Sequence, residues 1–347
     1  MRIAALALAL SAVTTVPAVG LTACIGSSAP QGPDADPGPD TTGETFEVTF
    51  GPVAVPAGGE NTQCVQKRLG NLDHKWIGKL HTRLEGVSHH LIVYRIAEGE
   101  ERPEPFECAP FIDTLDPRKG TPLMVSQIRA ESLDMPFGVA LGIEADQLVR
   151  LEMHFVNPGD FDDTVSASAI FEVLPDAQFQ AEAGFLFIGN PDIELPPGQA
   201  LTLGPTWFPL PPELTDVKVF AMTGHTHHLG TDVRIEHAPA REGAGTPVYA
   251  YDRWDWEEPP MATFTPPLAM PAGAGFRFSC SWSNTTARSV GFGESAEDEM
   301  CFFWSYYYPS QGHKVCLHTD QFAGGLDVCC PGPDPICALI LDQLGGP

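Results

Sequence analysis

The folded part of this chain shows no long helical periodicity; its apolar residues come in short runs closed off by proline and glycine. The runs are TFEVTF (residues 45–50), HLIVYRI (90–96), QLVRLEMHFV (147–156), ASAIFEVL (167–174), VKVFAMT (217–223), TDVRIEHA (231–238) and GFRFSCSW (275–282). Several alternate apolar and polar residues, the mark of a strand with one face on a core and one toward water. Short strands repeated between Pro/Gly turns predict an all-β fold built from antiparallel β-sandwich or jelly-roll domains.

At the start, Arg2 precedes an apolar run that ends in Leu21-Thr22-Ala23-Cys24. This reads as a signal peptide over residues 1–23 with a lipoprotein cleavage box, after which Cys24 would carry a lipid. Residues 24–44, rich in Pro, Gly, Ser and Asp, have almost nothing to bury and read as a flexible linker. No later stretch is apolar for long enough to span a bilayer. The expectation is an exported chain, lipid-anchored to a bacterial cell envelope, that meets a membrane only through that anchor.

The remaining about 300 residues exceed one average core and suit two domains. A strand ending at Pro175 places the seam between Leu174 and Ala183. This divides the chain into domains at 45–177 and 178–310, followed by a Cys-rich tail over 311–347. The formal net charge of −26 excludes nucleic acid and anionic membrane surfaces as partners. Setting Cys24 aside leaves Cys64, Cys108, Cys280, Cys301, Cys316, Cys329, Cys330 and Cys337, an even set that in an exported chain suggests disulfides.

Two histidine clusters stand out: His89-His90 with His154, and His225-Thr226-His227. Side chains at i and i+2 of a strand share a face, so His225 and His227 can converge on one ion while Thr226 and His228 point away. His89 and His90 are adjacent and can do so only where the backbone bends, as at a bulge. Met300 offers a thioether, a donor that copper(I) accepts and oxygen-loving metals avoid. Met153, Met222, Met261 and Met270 compete with it, and spacing alone does not choose.

Four segments taken together carry a resemblance. Ser88-His89-His90-Leu91-Ile92-Val93-Tyr94, Leu151-Glu152-Met153-His154-Phe155, His225-Thr226-His227-His228-Leu229-Gly230 and Asp298-Glu299-Met300-Cys301 occur in this order. In order, spacing and residue type they resemble the copper type II, ascorbate-dependent monooxygenases, the family of dopamine β-monooxygenase and peptidylglycine α-hydroxylating monooxygenase. The resemblance implies two tandem β-sandwich domains facing each other across a solvent-filled cleft. It implies an electron-transfer copper on His89, His90 and His154, and an oxygen-activating copper on His225, His227 and Met300. Cys64–Cys108 and Cys280–Cys301 match family disulfides. The implied cofactors are two copper ions with ascorbate or another one-electron reductant, and the implied partners are O2 and a small-molecule substrate.

The substrate positions depart from the peptide-amidating branch. Thr223 stands where that branch has an arginine, and Phe302 and Trp304 stand where it has asparagine and tyrosine. Glu152 and its surroundings look more like the dopamine β-monooxygenase branch. Thr223, Phe302, Trp304 and Glu152 are therefore the candidate substrate residues, with Tyr306 in phase with the two aromatics; the competing expectation is that these aromatics fill the core. The acidic run 294–299 reads as a solvated loop. The expected function is a dicopper monooxygenase hydroxylating a C–H bond; the alternative is a copper-binding or storage lipoprotein, or a catalytically silent relative.

Overall fold

A computed structural model describes residues 43–97, 99–108, 120–293, 295, 297–332 and 337. The signal segment 1–23, Cys24 and all but the end of the linker 24–44 lie outside the described residues. The first half contributes β1 (Thr45–Val55), β2 (Glu60–Arg68), β3 (Lys75–Gly86), β4 (Ser88–Ile96), β5 (Arg102–Glu107) and β6 (Thr121–Ser126). It continues with β7 (Ala130–Asp134), β8 (Val139–Ile143), β9 (Leu148–Val156), β10 (Asp163–Leu174) and β11 (Ala181–Glu182). These strands form two sheets, one ordered β1-β10-β3-β8-β11 with β7 also on β3, the other β5-β2-β9-β4-β6.

The second half contributes β12 (Gly184–Gly189), β13 (Glu194–Leu195), β14 (Ala200–Pro209), β15 (Lys218–His225), β16 (Gly230–Ala238) and β17 (Thr246–Tyr249). After these come β18 (Ala262–Ala269), β19 (Gly275–Ser283), β20 (Val290–Gly291), β21 (Phe302–Tyr308), β22 (Lys314–Thr319) and β23 (Leu326–Cys330). Its sheets run β18-β15-β21-β12-β22-β23 and β14-β19-β16-β17, with β13-β20 as a small pair. Among the described residues the named elements are β-strands apart from two 3-10 turns, and the named ladders are antiparallel except for β8-β11 and β12-β22. The chain crosses between halves at Ala183, between the last strand paired in the first sandwich and the first paired in the second.

Burial explains which strands the sequence pattern reveals. β19 alternates buried and half-buried positions, as a strand with one wet face should. β12 and the first six residues of β21 are buried without a break. Phe185, Phe187, Phe302, Trp304 and Tyr306 join one apolar cluster with first-half residues such as Val125 and Leu133. Leu186, Ile188, Phe303 and Tyr307 point the other way, into a second cluster with Phe276 and Phe278. The sheet that carries β21 thus has a core on each face, which is why the sequence of that strand, FFWSYYY, is apolar or aromatic on both faces apart from the buried Ser305.

The cysteine-rich segment is integral to that sheet, since β22 and β23 extend it beyond β12. Four disulfides occur among the described residues: Cys64–Cys108, Cys280–Cys301, Cys316–Cys329 and Cys330–Cys337. Cys316 and Cys329 are register partners across β22 and β23. Four such bonds fit folding in an oxidising compartment outside the cytosol. Among the described residues no helix is long and apolar enough to cross a membrane.

Candidate metal centres

The first cluster is assembled by neighbouring strands and a bulge. His90 on β4 lies directly opposite His154 on β9, so both side chains leave the same face. The ladder shifts register between Ser88 and His90, and this irregularity gives the bend that two adjacent histidines require. The ligand atoms of His89, His90 and His154 all lie within 4.8 Å of one another. His89 Nδ1 is 3.1 Å from His90 Nδ1. His154 Nε2 lies 3.1 Å from Glu60 Oε1, so Nε2–H donates to the carboxylate and the lone pair sits on Nδ1.

These imidazoles are held neutral. Burial, and then the neighbouring His154, push His89 down to about 4. Burial alone brings His154 to about 4. Burial, followed by His154 and His89, holds His90 well below the ordinary histidine value. Two Nδ1 atoms 3.1 Å apart are bridged either by the N–H of one neutral ring donating to the other or by a cation between them. A borderline metal cation fits this set of three neutral nitrogen donors.

The second cluster forms differently from the strand geometry expected of His225-Thr226-His227. β15 ends at His225, and His227 lies beyond it in a turn closed by Gly230 N–H donating to His227 O. A Cβ at residue 230 would run into Thr226, so this tight return requires glycine. The rings of His225 and His227 nevertheless converge, with centroids 5.2 Å apart and planes at 80°.

Glu299 makes that convergence possible. Its carboxylate accepts from His227 N at 2.9 Å, Leu229 N at 2.7 Å and Trp282 Nε1 at 2.8 Å. The adjacent Asp298 carbonyl accepts from His227 Nδ1 at 3.0 Å, which leaves the His227 lone pair on Nε2. Both residues immediately precede Met300, itself fully buried at the entrance to β21, where Phe302 pairs with His225. The acidic run is therefore not simply a solvated loop: Glu299 is 0% exposed, and Glu294 falls outside the described residues. Burial pushes the Glu299 carboxyl up, opposed by its three N–H donors. Burial, then His227, holds His225 well below its ordinary value, and burial lowers His227 to about 4 against the Asp298 hydrogen bond.

Both clusters meet one cavity of about 950 Å³, lined by His89, His90, His154, His227 and His228. Two residues without any motif cross between the halves here. Gln127 Oε1 lies 2.7 Å from His225 Nδ1, and the Trp256 ring sits 5.2 Å from that of His89 and 6.3 Å from that of His228.

The candidate substrate residues sit elsewhere. Thr223, Phe302, Trp304, Tyr306 and Glu152 are each at most 1% exposed and do not line the cavity. Thr223 Oγ1 donates to Pro260 O, and Glu152 accepts from Tyr94 OH at 3.1 Å. Phe302, Trp304 and Tyr306 fill the apolar contact between the halves, the competing expectation for them. Trp304 still packs 5.6 Å from the His225 ring, behind the site rather than inside it. The tail cysteines are all paired, so none provides a thiolate for a further metal.

Comparison with known proteins agrees with this reading for the second half. Residues 184–322 match the family described as copper type II ascorbate-dependent monooxygenase, C-terminal domain. The matched stretch contains His225, His227 and Met300, and with them two of the four motif segments, while His89, His90 and His154 lie outside it. Among solved structures, the major capsid protein P2 from bacteriophage PM2 is 9% identical with a TM-score of 0.32, covering 76% of this chain and 97% of that one. PNGase F, a glycosylasparaginase from Flavobacterium meningosepticum, is 10% identical with a TM-score of 0.36, covering 76% and 94%. Likeness this slight carries no functional argument.

Proposed function

We propose that this protein is a copper-dependent monooxygenase that uses O2 and a reductant such as ascorbate to hydroxylate a C–H bond of a small organic substrate. The observation that carries the reading is that His89, His90, His154 and His227 line the same cavity, so two unlike donor sets stand beside one substrate-sized space. In this reading His89, His90 and His154 hold the electron-transfer copper, and His225, His227 and Met300 hold the oxygen-activating one. Copper held by these residues would supply one-electron transfer and oxygen activation.

The chain's own groups do the rest. Neutral imidazoles present lone pairs without first losing protons, and Glu60 and the Asp298 carbonyl fix the tautomers of His154 and His227. The thioether of Met300 favours the reduced metal. The packed aromatics Phe187, Phe302 and Trp304 keep water away from the rear of the second cluster.

The cavity wall also narrows the substrate. Among the described residues Glu60, Asp163, Glu257, Glu258 and Glu297 line it against the single Lys or Arg, Arg129, which disfavours anionic substrates such as peptide carboxylates. Trp256 adds an aromatic surface beside His89. A neutral or cationic small molecule suits this lining. The cleavage box ending at Cys24 supports lipid tethering of the enzyme to the cell envelope.

The test is copper content of the purified, signal-less protein after loosely held metal is removed. Two coppers per chain, falling to about one in Met300→Ala or His154→Ala, together with label from 18O2 in a product formed while ascorbate is consumed, support the enzyme. One copper or none in the parent protein removes the paired centres and leaves a carrier or a silent relative.

A further inference from the structure

We infer that Gln127 is a positioning residue for the second metal centre: it reaches from the first sandwich to set the ring of His225, so that this centre is completed only when the halves are docked. The inference rests on the dicopper reading above and adds to it a dependence of one centre on the opposite half.

Gln127 follows β6 directly and is 6% exposed. Its carbonyl Oε1 lies 2.7 Å from His225 Nδ1, a residue 98 positions further along the chain. A carbonyl oxygen only accepts, so His225 Nδ1–H is the donor, and the neutral ring then carries its lone pair on Nε2. His227 reaches the same tautomer through the Asp298 carbonyl of its own half. One ring of the pair is thus oriented locally and the other from across the contact between the sandwiches.

The glutamine is itself held in place. The preceding residue, Ser126, donates through Oγ to Ile128 O at 3.4 Å, closing the connection on itself. Thr82 Oγ1 on β3 donates to Ser126 Oγ at 2.8 Å. Two residues earlier, Val125 N donates to the hydroxyl of Tyr306 on β21 at 3.3 Å. The β6–β7 connection is therefore fastened to its own sandwich and to the strand that follows Met300. A hydrogen-bond acceptor fixed in this way selects the tautomer and ring orientation of a ligand, which typically changes metal affinity by about 10–100-fold.

The test isolates the second centre in the full chain carrying His89→Ala and His90→Ala, and measures Cu(I) affinity by chelator competition. Gln127→Met keeps length and burial but removes the acceptor; the expected loss is about 10–100-fold. Gln127→Glu restores an acceptor and should recover most of the affinity. Gln127→Ala serves if the methionine variant does not fold. Imidazole nitrogen NMR of the metal-free protein gives a second readout: His225 should be the Nδ1–H tautomer, and a mixture once Gln127 is replaced.

Unchanged Cu(I) affinity in both Gln127→Met and Gln127→Ala overturns the proposal while leaving the dicopper reading intact. So does an Nε2–H tautomer in the parent protein, which would mean that the amide NH2 faces the ring. If His225→Ala also leaves the affinity unchanged, the second copper centre itself is wrong and the proposal falls with it.

Discussion

Replacing Glu299 should unfasten the second cluster and cost a large share of the protein's stability. Three N–H donors converge on this fully buried carboxylate, and their residues, His227, Leu229 and Trp282, are themselves buried at 6%, 5% and 1% exposure. In Glu299→Ala all three lose their acceptor where water cannot easily replace it. At about 1–3 kcal/mol for each buried donor left unmade, the gross loss is about 3–9 kcal/mol. Removing a charge whose burial is itself unfavourable returns part of this, giving a net loss of about 3–5 kcal/mol.

Glu299→Gln separates the charge from the shape. Its carbonyl oxygen can keep two of the donors, but its NH2 meets the third, so one bond is lost and the cost is about 1–3 kcal/mol. The assay is urea unfolding of the copper-free, disulfide-intact chain by tryptophan fluorescence, with the wild type most stable, then glutamine, then alanine. Copper affinity of the second cluster should follow the same order, because the bonds to His227 and Leu229 shape the ligand turn. Equal midpoints for wild type and Glu299→Ala would refute the argument, since three buried donors cannot lose their partner at no cost.

Acidification should weaken the copper-free protein. Because folding lowers the histidine pKa values, the unfolded chain binds more protons below about 6.5, so stability is full above that pH and falls as pH drops toward 4. His154 and His227 should each account for about 3 kcal/mol at the acid limit, and a urea midpoint independent of pH between 7 and 5 would sink the prediction. Changing Cys280 and Cys301 together to serine should lower stability by about 3 kcal/mol, read as a lower melting temperature; an unchanged value would show that the Met300 segment is held without the bond. Gly189→Ala should cost about 1–3 kcal/mol by forcing the Phe302 ring off the β12 backbone, and wild-type thermal stability would show that the ring moves freely.

Much of the fold was legible in the sequence because alternation survives wherever a strand keeps a wet face, as in β19. β12 and β21 escaped that signal: GFLFIG and FFWSYYY are covered on both sides, so nothing in their pattern says which residues face which core. The four histidine and methionine segments were visible as motifs, whereas the means by which they converge was not. His227 reaches its partner through a turn held by Glu299, and in sequence that residue is one more acid in an acidic run. Gln127 and Trp256 carry no local signature at all, since what each contributes is a contact with the opposite half. The aromatics after Met300 share one face, as strand phase implies, but phase could not say whether that face meets a cleft or a core; it packs in the apolar cluster that both halves supply.

A β-sandwich ordinarily leaves each sheet an outer side where sequence can drift and where fusions or cuts do little harm. The sheet containing β12 and β21 has lost much of that freedom, because its outer side is the first half's apolar contact. Cutting the chain near Ala183 would uncover a wall of phenylalanine, tryptophan and tyrosine, an adhesive surface that invites aggregation. The two halves are consequently a poor pair for shuffling: a new first half must bring a matching apolar face as well as its own histidines. Inheritance of the two as a single piece follows from the chemistry of that wall.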